Sequence, residues 1–217
     1  MEVKQSKETS GGDFIIHNDK IISIFTPEDF SEEQLMMKDS VKEFIDREVW
    51  PYKDRFEKRD YDFTKSLMEK AGELGFLGVS IPEEYGGMGM GFISSMLVCD
   101  YISGSTGSLS TAFGAHTGIG TLPVLLYGTE DQKKKYLPRL SSGECFGCYC
   151  LTEPGAGSDA NSGKSKAVLS DDGKYYKLSG QKMWISNAGF ASLMIVFARI
   201  ENDKNITAFL VDYDPSN

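Results

Sequence analysis

The hydrophobic pattern of this chain changes its period close to Gly143, and that change constrains the fold more than any other feature. Before it, apolar residues recur at three- and four-residue intervals, as at Val41, Phe44, Ile45 and Val49, which is the spacing of a helix that buries one face. After it, short apolar runs with twofold alternation lie between turn residues, which is typical of strands. The sequence therefore predicts an α+β chain, with an all-helical domain followed by an antiparallel β-barrel or sheet.

The predicted organisation has three parts: an extended N-terminal arm over residues 1–30, a helical domain over 31–144 and a β-domain over 145–217. Ser31 and Gln34 have the spacing of a capping box and predict the start of a first helix, which Pro51 ends. Further helices are predicted over 64–74, 93–103, 108–118 and 129–140. Strands are predicted over 146–151, 164–169, 175–178, 182–185, 193–200 and 207–211, with a hairpin turn at Asp172-Gly173. Because the sequence ends directly after a strand, we expect the β-domain to be incomplete.

Charge and hydropathy exclude several classes of partner. The net charge of −9 at pH 7 opposes binding to nucleic acid or to anionic membranes, because both attract basic surfaces. No apolar run approaches the roughly 20 residues that span a bilayer. The first residues contain neither the apolar core of a secretory signal nor the Arg-rich, acid-poor composition of a transit peptide. We therefore expect a cytoplasmic protein without a membrane span.

The four cysteines are predicted to be thiols, because nothing in the sequence indicates export. Cys145, Cys148 and Cys150 lie close together, and strand alternation would place Cys148 and Cys150 on one face and Cys145 on the other. Only two histidines, His17 and His116, are present to complete a metal site. We therefore expect no bound metal.

The segment LTEPGAGSDA, residues 151–160, carries the chemistry that the sequence shows best. Pro154 and two glycines prevent regular structure, so the backbone N–H groups from Gly155 to Ser158 are predicted to point outward toward an anion or a carbonyl. Thr152 and Ser158 add hydroxyl groups. Such a loop suits a flat cofactor with many acceptors and a pyrophosphate, although a loop of this composition can also be a plain connection without a ligand.

The segment YCLTEPGAGSDA over residues 149–160, followed by GQKMWISNAG over 180–189, resembles the two flavin-binding motifs of the acyl-CoA dehydrogenase family. We refer to them as the first and second motif. The resemblance extends to LGVSIPEEYGGMG at 77–89 and YGTEDQKKKYLPRLSSGE at 127–144, and SLSTAFGAHTGIG at 108–120 is similar to the very-long-chain branch. It implies a helical N-terminal domain, a middle β-domain and a C-terminal helical domain absent from this sequence, with FAD held between the last two.

The resemblance also implies roles for individual residues. Contacts to FAD would come from Tyr149, Leu151, Thr152, Gly157, Ser158, Trp184, Ile185 and Ser186. Of these, Trp184 would pack on the isoalloxazine ring, Ser186 would lie near its N5 atom, and Ser158 would reach both the pyrophosphate and the CoA arm of the substrate. Ser110 and Gly114 lie four residues apart on one predicted helix face and would line an acyl tunnel, although small residues there also let helices approach closely.

The implied reaction is the α,β-dehydrogenation of a fatty acyl-CoA to the trans-2-enoyl-CoA, a step of fatty acid beta-oxidation, with hydride transfer to flavin N5. An electron-transfer flavoprotein would accept the electrons, and the complete enzyme would be a homo-oligomer. The family's catalytic glutamate usually lies in the C-terminal domain, so we predict no catalytic residue in this sequence and no activity from it alone. Glu153 is expected to have a structural role, and His116 to be a helix residue near the pocket.

Two other functions fit the same sequence. One is a non-catalytic flavin-binding, acyl-CoA-binding or interaction module that keeps the fold without turnover. The other is an acyl-CoA oxidase, which differs in the access of oxygen to reduced flavin, and no residue here decides that question.

Overall fold

The computed structural model describes residues 25–214 of the 217-residue chain. Most of the extended arm predicted for residues 1–30 lies outside the described residues, and its described end forms a 3-10 turn at Pro27–Asp29. Within residues 25–214, no helix is both long enough and apolar enough to span a bilayer.

The first part of the described chain is helical, as predicted. The α-helices are α1 Glu32–Phe44, α2 Lys53–Glu57, α3 Tyr61–Glu73, α4 Gly91–Ser103, α5 Gly107–Gly114, α6 Leu122–Tyr127 and α7 Glu130–Ser142. The capping box at the start of α1 is confirmed, because the Ser31 hydroxyl accepts from the Gln34 backbone N–H and the Gln34 side chain accepts from the Ser31 N–H.

Two of the predicted helices widen before they end. After α1 the chain continues as a π-helical turn over Ile45–Val49, and after α5 as another over Ala115–Thr121. Pro51 and Pro123 follow these turns closely. A proline lacks the N–H of the regular helix ladder and its ring displaces the carbonyl four residues before it, so a wider turn precedes each proline.

The helices enclose an apolar core to which α1, α3, α4 and α5 all contribute. Val41 and Met68 are fully buried in it, and the Phe44 and Phe76 rings meet edge to face with centroids 5.8 Å apart. A second cluster lies between α7 and the sheet, where Leu137 and Leu140 pack with Leu193 and Ile195. The sheet is therefore fixed against the helical part by buried apolar contacts.

The second part of the chain is a mixed, open sheet rather than a closed barrel. Its strands are β1 Gly147–Cys150, β2 Lys166–Leu169, β3 Tyr176–Ser179, β4 Leu193–Ile200 and β5 Ile206–Asp212. Strand β4 is central: it pairs in parallel with β1 and with β2, and antiparallel with β5, while β2 and β3 form an antiparallel hairpin.

The α+β prediction is confirmed, but the purely antiparallel arrangement is wrong. Twofold alternation shows that a segment is a strand and says nothing about its direction, and the long connections from β1 and β2 to β4 permit parallel crossovers. The strand predicted over 182–185 is also wrong. Trp184 and Asn187 have φ angles of 60° and 67°, which no extended strand accommodates.

His116 joins the helical part to the sheet. Its imidazole is fully buried, its Nε2–H donates to the Leu140 carbonyl oxygen at 3.0 Å, and its Nδ1 accepts from the Gly147 backbone N–H at 3.1 Å. Burial lowers the pKa of His116 to about 4, outweighing the hydrogen bond to Leu140, which raises it. A neutral imidazole with fixed hydrogen bonds on both nitrogens is a structural group, so a role as acid or base is excluded.

Gly120 and Gly147 allow the backbone of the π-helical turn to touch the start of β1. A Cβ atom added at Gly147 would lie 2.9 Å from the Gly120 Cα and carbonyl oxygen, and backbone atoms cannot move aside as a flexible side chain does. We expect Gly147→Ala to lower the free energy of unfolding by about 1–3 kcal/mol in urea denaturation. Gly107→Ala is the matched control, because a Cβ there meets no atom within 4 Å. Equal stability of both variants would contradict this close contact.

Candidate functional site

The buried carboxylate of Glu153 holds the first motif against the second. Its Oε1 atom accepts from the Lys182 ammonium at 2.7 Å, and its two oxygens also accept from the backbone N–H groups of Lys164 and Ser165. The Lys182 ammonium donates in addition to the Leu151 carbonyl oxygen at 3.1 Å. One ion pair, inaccessible to most solvent, therefore joins both motifs and the start of β2.

The pKa of Glu153 shows the balance of forces at this ion pair. Burial alone raises the pKa of the carboxyl, but hydrogen bonds from Lys182, Ser165 and Lys164 outweigh it and lower the pKa to about 2. Glu153 is therefore an ionised acceptor at neutral pH. Because both Glu153 oxygens are already hydrogen-bonded, the carboxylate has a structural role. Its partners are Lys164, Ser165 and Lys182, which lie outside the loop of the first motif.

Two further hydrogen bonds complete the alignment of the motifs. The Met183 backbone N–H donates to the Thr152 carbonyl oxygen at 3.0 Å. The buried side chain of Asn187 donates through its Nδ2 atom to the Ala112 carbonyl oxygen at 2.9 Å, which ties the second motif to α5. Lys182 and Asn187 are not predictable as site residues from the sequence, apart from their position within the second motif.

The first motif presents unpaired donors at its surface. Gly155, Gly157 and Ser158 are exposed, and within residues 25–214 no protein group accepts from their backbone N–H groups. The predicted outward N–H of Ala156 is wrong, because it donates to the Glu153 carbonyl oxygen at 3.1 Å. The remaining N–H groups are exposed donors without a protein acceptor, as groups that bind phosphate oxygens are.

Hydroxyl groups extend this donor surface. In the described part of the chain, the side-chain oxygens of Thr152, Ser158 and Ser186 make no hydrogen bond to protein. Ser186 lines a cleft of about 420 Å³ together with Arg59, Thr111 and other residues of the helical part. Free amides and hydroxyls of this kind fit a ligand that carries many acceptors, as FAD does.

Trp184 is the one aromatic residue of the second motif, and it is exposed. Its indole is 85% accessible and its φ angle is 60°, which is strained for a residue with a side chain. Such a conformation costs on the order of 1–3 kcal/mol and persists where the surroundings impose it, commonly at binding sites. Next to it, Ile185 packs inward against Cys148 and Cys150. The second motif therefore turns one large aromatic face outward on an anchored backbone.

Tyr149 lies apart from this exposed surface. Its ring packs on Phe197 with centroids 4.7 Å apart, in the apolar cluster between α7 and the sheet. Burial raises the pKa of the Tyr149 hydroxyl. Because side chains alternate along β1, Tyr149 faces away from the two cysteines that contact Ile185. The structure thus joins Leu151 and Thr152 to the second motif through their carbonyls, and does not bring the Tyr149 ring there.

The two residues predicted to line an acyl tunnel are separated. Gly114 lines an apolar cleft of about 310 Å³ between α4 and the helix formed by α5 and its π-helical turn, together with Met96, Gly118 and others. Ser110 is not part of that lining. Its hydroxyl instead donates to the Ser103 hydroxyl at 3.3 Å. The cleft at Gly114 also shares no residue with the cleft at Ser186.

Among residues 25–214, no three of the His, Cys, Asp and Glu side chains converge as a metal site. The structure instead combines a helical domain, a mixed sheet and two linked motifs that carry exposed amide, hydroxyl and indole groups. They define a two-domain protein with a surface suited to a large, flat, phosphate-bearing cofactor.

Comparison with known proteins identifies the family. A family model for the acyl-CoA dehydrogenase N-terminal domain matches residues 31–144, and one for the acyl-CoA dehydrogenase middle domain matches residues 148–217. The chain therefore belongs to the acyl-CoA dehydrogenase family.

Individual relatives agree with this assignment. The chain is 44% identical over 212 residues to a probable acyl-CoA dehydrogenase of Bacillus subtilis (strain 168), covering 98% of this chain and 35% of that protein. It is 41% identical over 167 residues to the very long-chain specific acyl-CoA dehydrogenase of Rattus norvegicus, covering 73% of this chain and 25% of that protein. It also resembles the crystal structure of an acyl-CoA dehydrogenase complexed with FAD from Bacillus anthracis, with a TM-score of 0.84 and 46% identity over 87% of this chain and 32% of that one. The chain thus spans about a third of the length of the B. subtilis protein.

Proposed function

We propose that this chain forms one wall of the FAD site of an acyl-CoA dehydrogenase that converts a fatty acyl-CoA to its trans-2-enoyl-CoA. The observation that carries the proposal is the Glu153–Lys182 ion pair, because it joins the two motifs whose amide and hydroxyl groups are left without a protein partner. Family membership and the FAD complex of the B. anthracis relative support it.

The donor groups fall into two sets that suit two parts of FAD, its pyrophosphate and its isoalloxazine ring. The amides of Gly155 and Gly157 and the Ser158 hydroxyl would hold the pyrophosphate. The Thr152 and Ser186 hydroxyls and the Trp184 indole would hold and cover the isoalloxazine ring. Bound FAD supplies a two-electron acceptor for a hydride from the substrate β-carbon. The chain's own residues bind and orient this ring and shield it from water.

Within residues 25–214 we assign no catalytic base. The Glu153 carboxylate is held by Lys182 and two backbone N–H groups, and His116 is neutral and bonded on both nitrogens. Removal of the substrate α-proton therefore requires a group outside this set, and we expect the 217-residue chain to bind FAD without turnover. A role in fatty acid beta-oxidation, an electron-transfer flavoprotein as acceptor, homo-oligomers and a cytoplasmic location remain predictions.

A chimaera tests the proposed reaction. The matching segment of the B. subtilis relative would be replaced by this chain, and the purified protein assayed for enoyl-CoA formation with added FAD and saturated acyl-CoA. We expect FAD-dependent product and reduction of an electron-accepting dye. A folded, FAD-loaded chimaera that binds acyl-CoA without oxidising it would contradict the proposal and support a binding module. Hydrogen peroxide formed in preference to dye reduction would identify an oxidase.

The cleft at Gly114 provides a prediction about acyl chain length. A Cβ atom at Gly114 meets no atom within 4 Å, so a side chain can begin there without a clash, and a leucine would extend into the cleft and narrow it. In the chimaera, Gly114→Leu should reduce kcat/KM for long acyl-CoA by about tenfold or more, the effect of roughly 1.4 kcal/mol of lost binding, and spare short acyl-CoA. Gly104→Leu is the control, because an added Cβ atom there makes only ordinary contacts and Gly104 lines neither cleft. Equal losses for short and long substrates would show that this cleft does not hold the acyl chain.

A further inference from the structure

Cys148 and Cys150 form a buried pair of thiols at the start of the first motif, packed against Ile185 of the second. Their Sγ atoms lie 3.7 Å apart on one face of β1, as strand alternation predicted. Cys148 is 0% exposed and Cys150 is 5% exposed, and they pack with Ala191 and Ile185. Both are free thiols, and the pair is not used in holding FAD as proposed above.

The spacing of the two sulfurs is unsuited to a disulfide. A disulfide requires an S–S distance of about 2.05 Å, and residues two apart on a strand have Cα atoms roughly 6.6 Å apart, near the upper limit for such a bond. Pairing of β1 with β4 over all four of its residues prevents the backbone from closing this distance. A single larger atom with bonds of about 2.3 Å to sulfur can still bridge the pair, because the observed 3.7 Å is shorter than two such bonds.

The surroundings favour attack by one sulfur. The hydrogen bond between the two thiols raises the pKa of Cys148 and lowers that of Cys150, and the Lys182 ammonium lowers the pKa of Cys150 further against the effect of burial. The thiolate is the nucleophilic form of cysteine, and cationic neighbours are typical of reactive thiols. Cys150, which also has the exposed edge of the pair, is therefore the first point of attachment.

We propose that Cys148 and Cys150 form a binding site for thiophiles of the trivalent arsenical class, which one arsenic atom occupies by bridging both sulfurs. The hydrated reagent, R–As(OH)₂, loses both hydroxyls: two As–O bonds break, two As–S bonds form, and the two thiol protons leave in two molecules of water. Arsenic remains trivalent and neither sulfur is oxidised. A one-atom bridge does not need the sulfurs to approach to the 2.05 Å of a disulfide, so the paired strand β1 can keep its register.

The test uses the reduced 217-residue chain and phenylarsine oxide at one equivalent. We expect a one-to-one adduct by mass spectrometry and the loss of two of the four titratable thiols. Excess monothiol should leave the adduct intact, whereas a dithiol such as dimercaptopropanol should remove it. Because Ile185 packs on the pair and adjoins Trp184, the emission of Trp184 should shift in a Trp50→Phe background.

Four single variants separate this site from other thiols. Cys148→Ser and Cys150→Ser should each lose the monothiol-resistant adduct, while Cys99→Ser and Cys145→Ser should retain it, since Cys145 packs in a different cluster. Circular dichroism checks that every variant is folded. The proposal is overturned if the resistant adduct survives in Cys148→Ser or Cys150→Ser, if it requires Cys145, or if it forms only in denaturant.

Discussion

Glu153→Ala should lower the free energy of unfolding by about 3–5 kcal/mol, the usual effect of removing one partner from a buried ion pair. The substitution leaves the Lys182 ammonium, whose side chain is only 15% exposed, without its counter-charge. It also removes the acceptor of the Lys164 and Ser165 backbone N–H groups. Urea denaturation of both proteins at neutral pH measures the difference.

Glu144→Ala is the matched control for this prediction. Glu144 pairs with Arg139 at 2.8 Å, but its side chain is 65% exposed. Exposed ion pairs contribute at most about 1 kcal/mol, so this variant should remain close to the parent. A Glu153→Ala variant as stable as Glu144→Ala would show that the ion pair does not hold the two motifs together.

Acid should weaken the Glu153 contact in a defined range of pH. The pKa of Glu153 is lowered in the folded chain from 4.5 to about 2, so the unfolded chain takes up the proton first as pH falls. The stabilisation is present above pH 4.5 and is lost as pH falls toward 2.

Acidification from pH 6.5 to pH 4 should lower the free energy of unfolding by about 3 kcal/mol through the protonation of His116. Each unit by which the folded and unfolded pKa values differ corresponds to about 1.4 kcal/mol. Burial lowers its pKa from 6.5 to about 4 in the folded chain, so the unfolded chain binds the proton first. The folded state therefore keeps this contribution above pH 6.5 and loses it progressively down to pH 4. Unfolding measured across this range reports the loss.

His116→Asn should be less stable at neutral pH and should lack most of the pH dependence between 6.5 and 4. Its stability falls because the hydrogen bonds from the His116 ring to Leu140 and Gly147, which join the helical part to the sheet, are lost. His17→Asn, which changes the only other histidine, is the control and should retain that pH dependence. If His116→Asn shows the same slope as the parent, the imidazole is not held neutral in the folded chain.

The sequence was sufficient to predict the order of secondary structure because local periodicity records which face of each segment is buried. The capping box at Ser31 and the strand Leu193–Ile200 were therefore predictable. The direction of β1 against β4 was not, because pairing depends on contacts between segments more than forty residues apart and the side-chain alternation is the same for both directions.

The candidate site was predictable in composition but not in construction. The motifs showed which residues carry amides, hydroxyls and an indole, and the structure shows what holds them together. Glu153 and Lys182 are charged residues in irregular segments, and nothing local indicates that they meet. The same holds for Asn187, whose side chain bonds to α5 far earlier in the chain. Trp184 was predicted within a strand because an apolar residue pattern cannot report a positive φ.

FAD titration of the Trp50→Phe chain, followed through the fluorescence of Trp184, tests most directly whether the two motifs form one flavin-binding surface. Trp184 is then the only tryptophan, and its exposed indole is placed to cover the bound ring. We predict saturable quenching, with an affinity weaker by about tenfold or more in Glu153→Gln, corresponding to a loss of roughly 1.4 kcal/mol or more. FAD that binds without quenching Trp184, or with the same affinity in Glu153→Gln, would contradict a site built from both motifs.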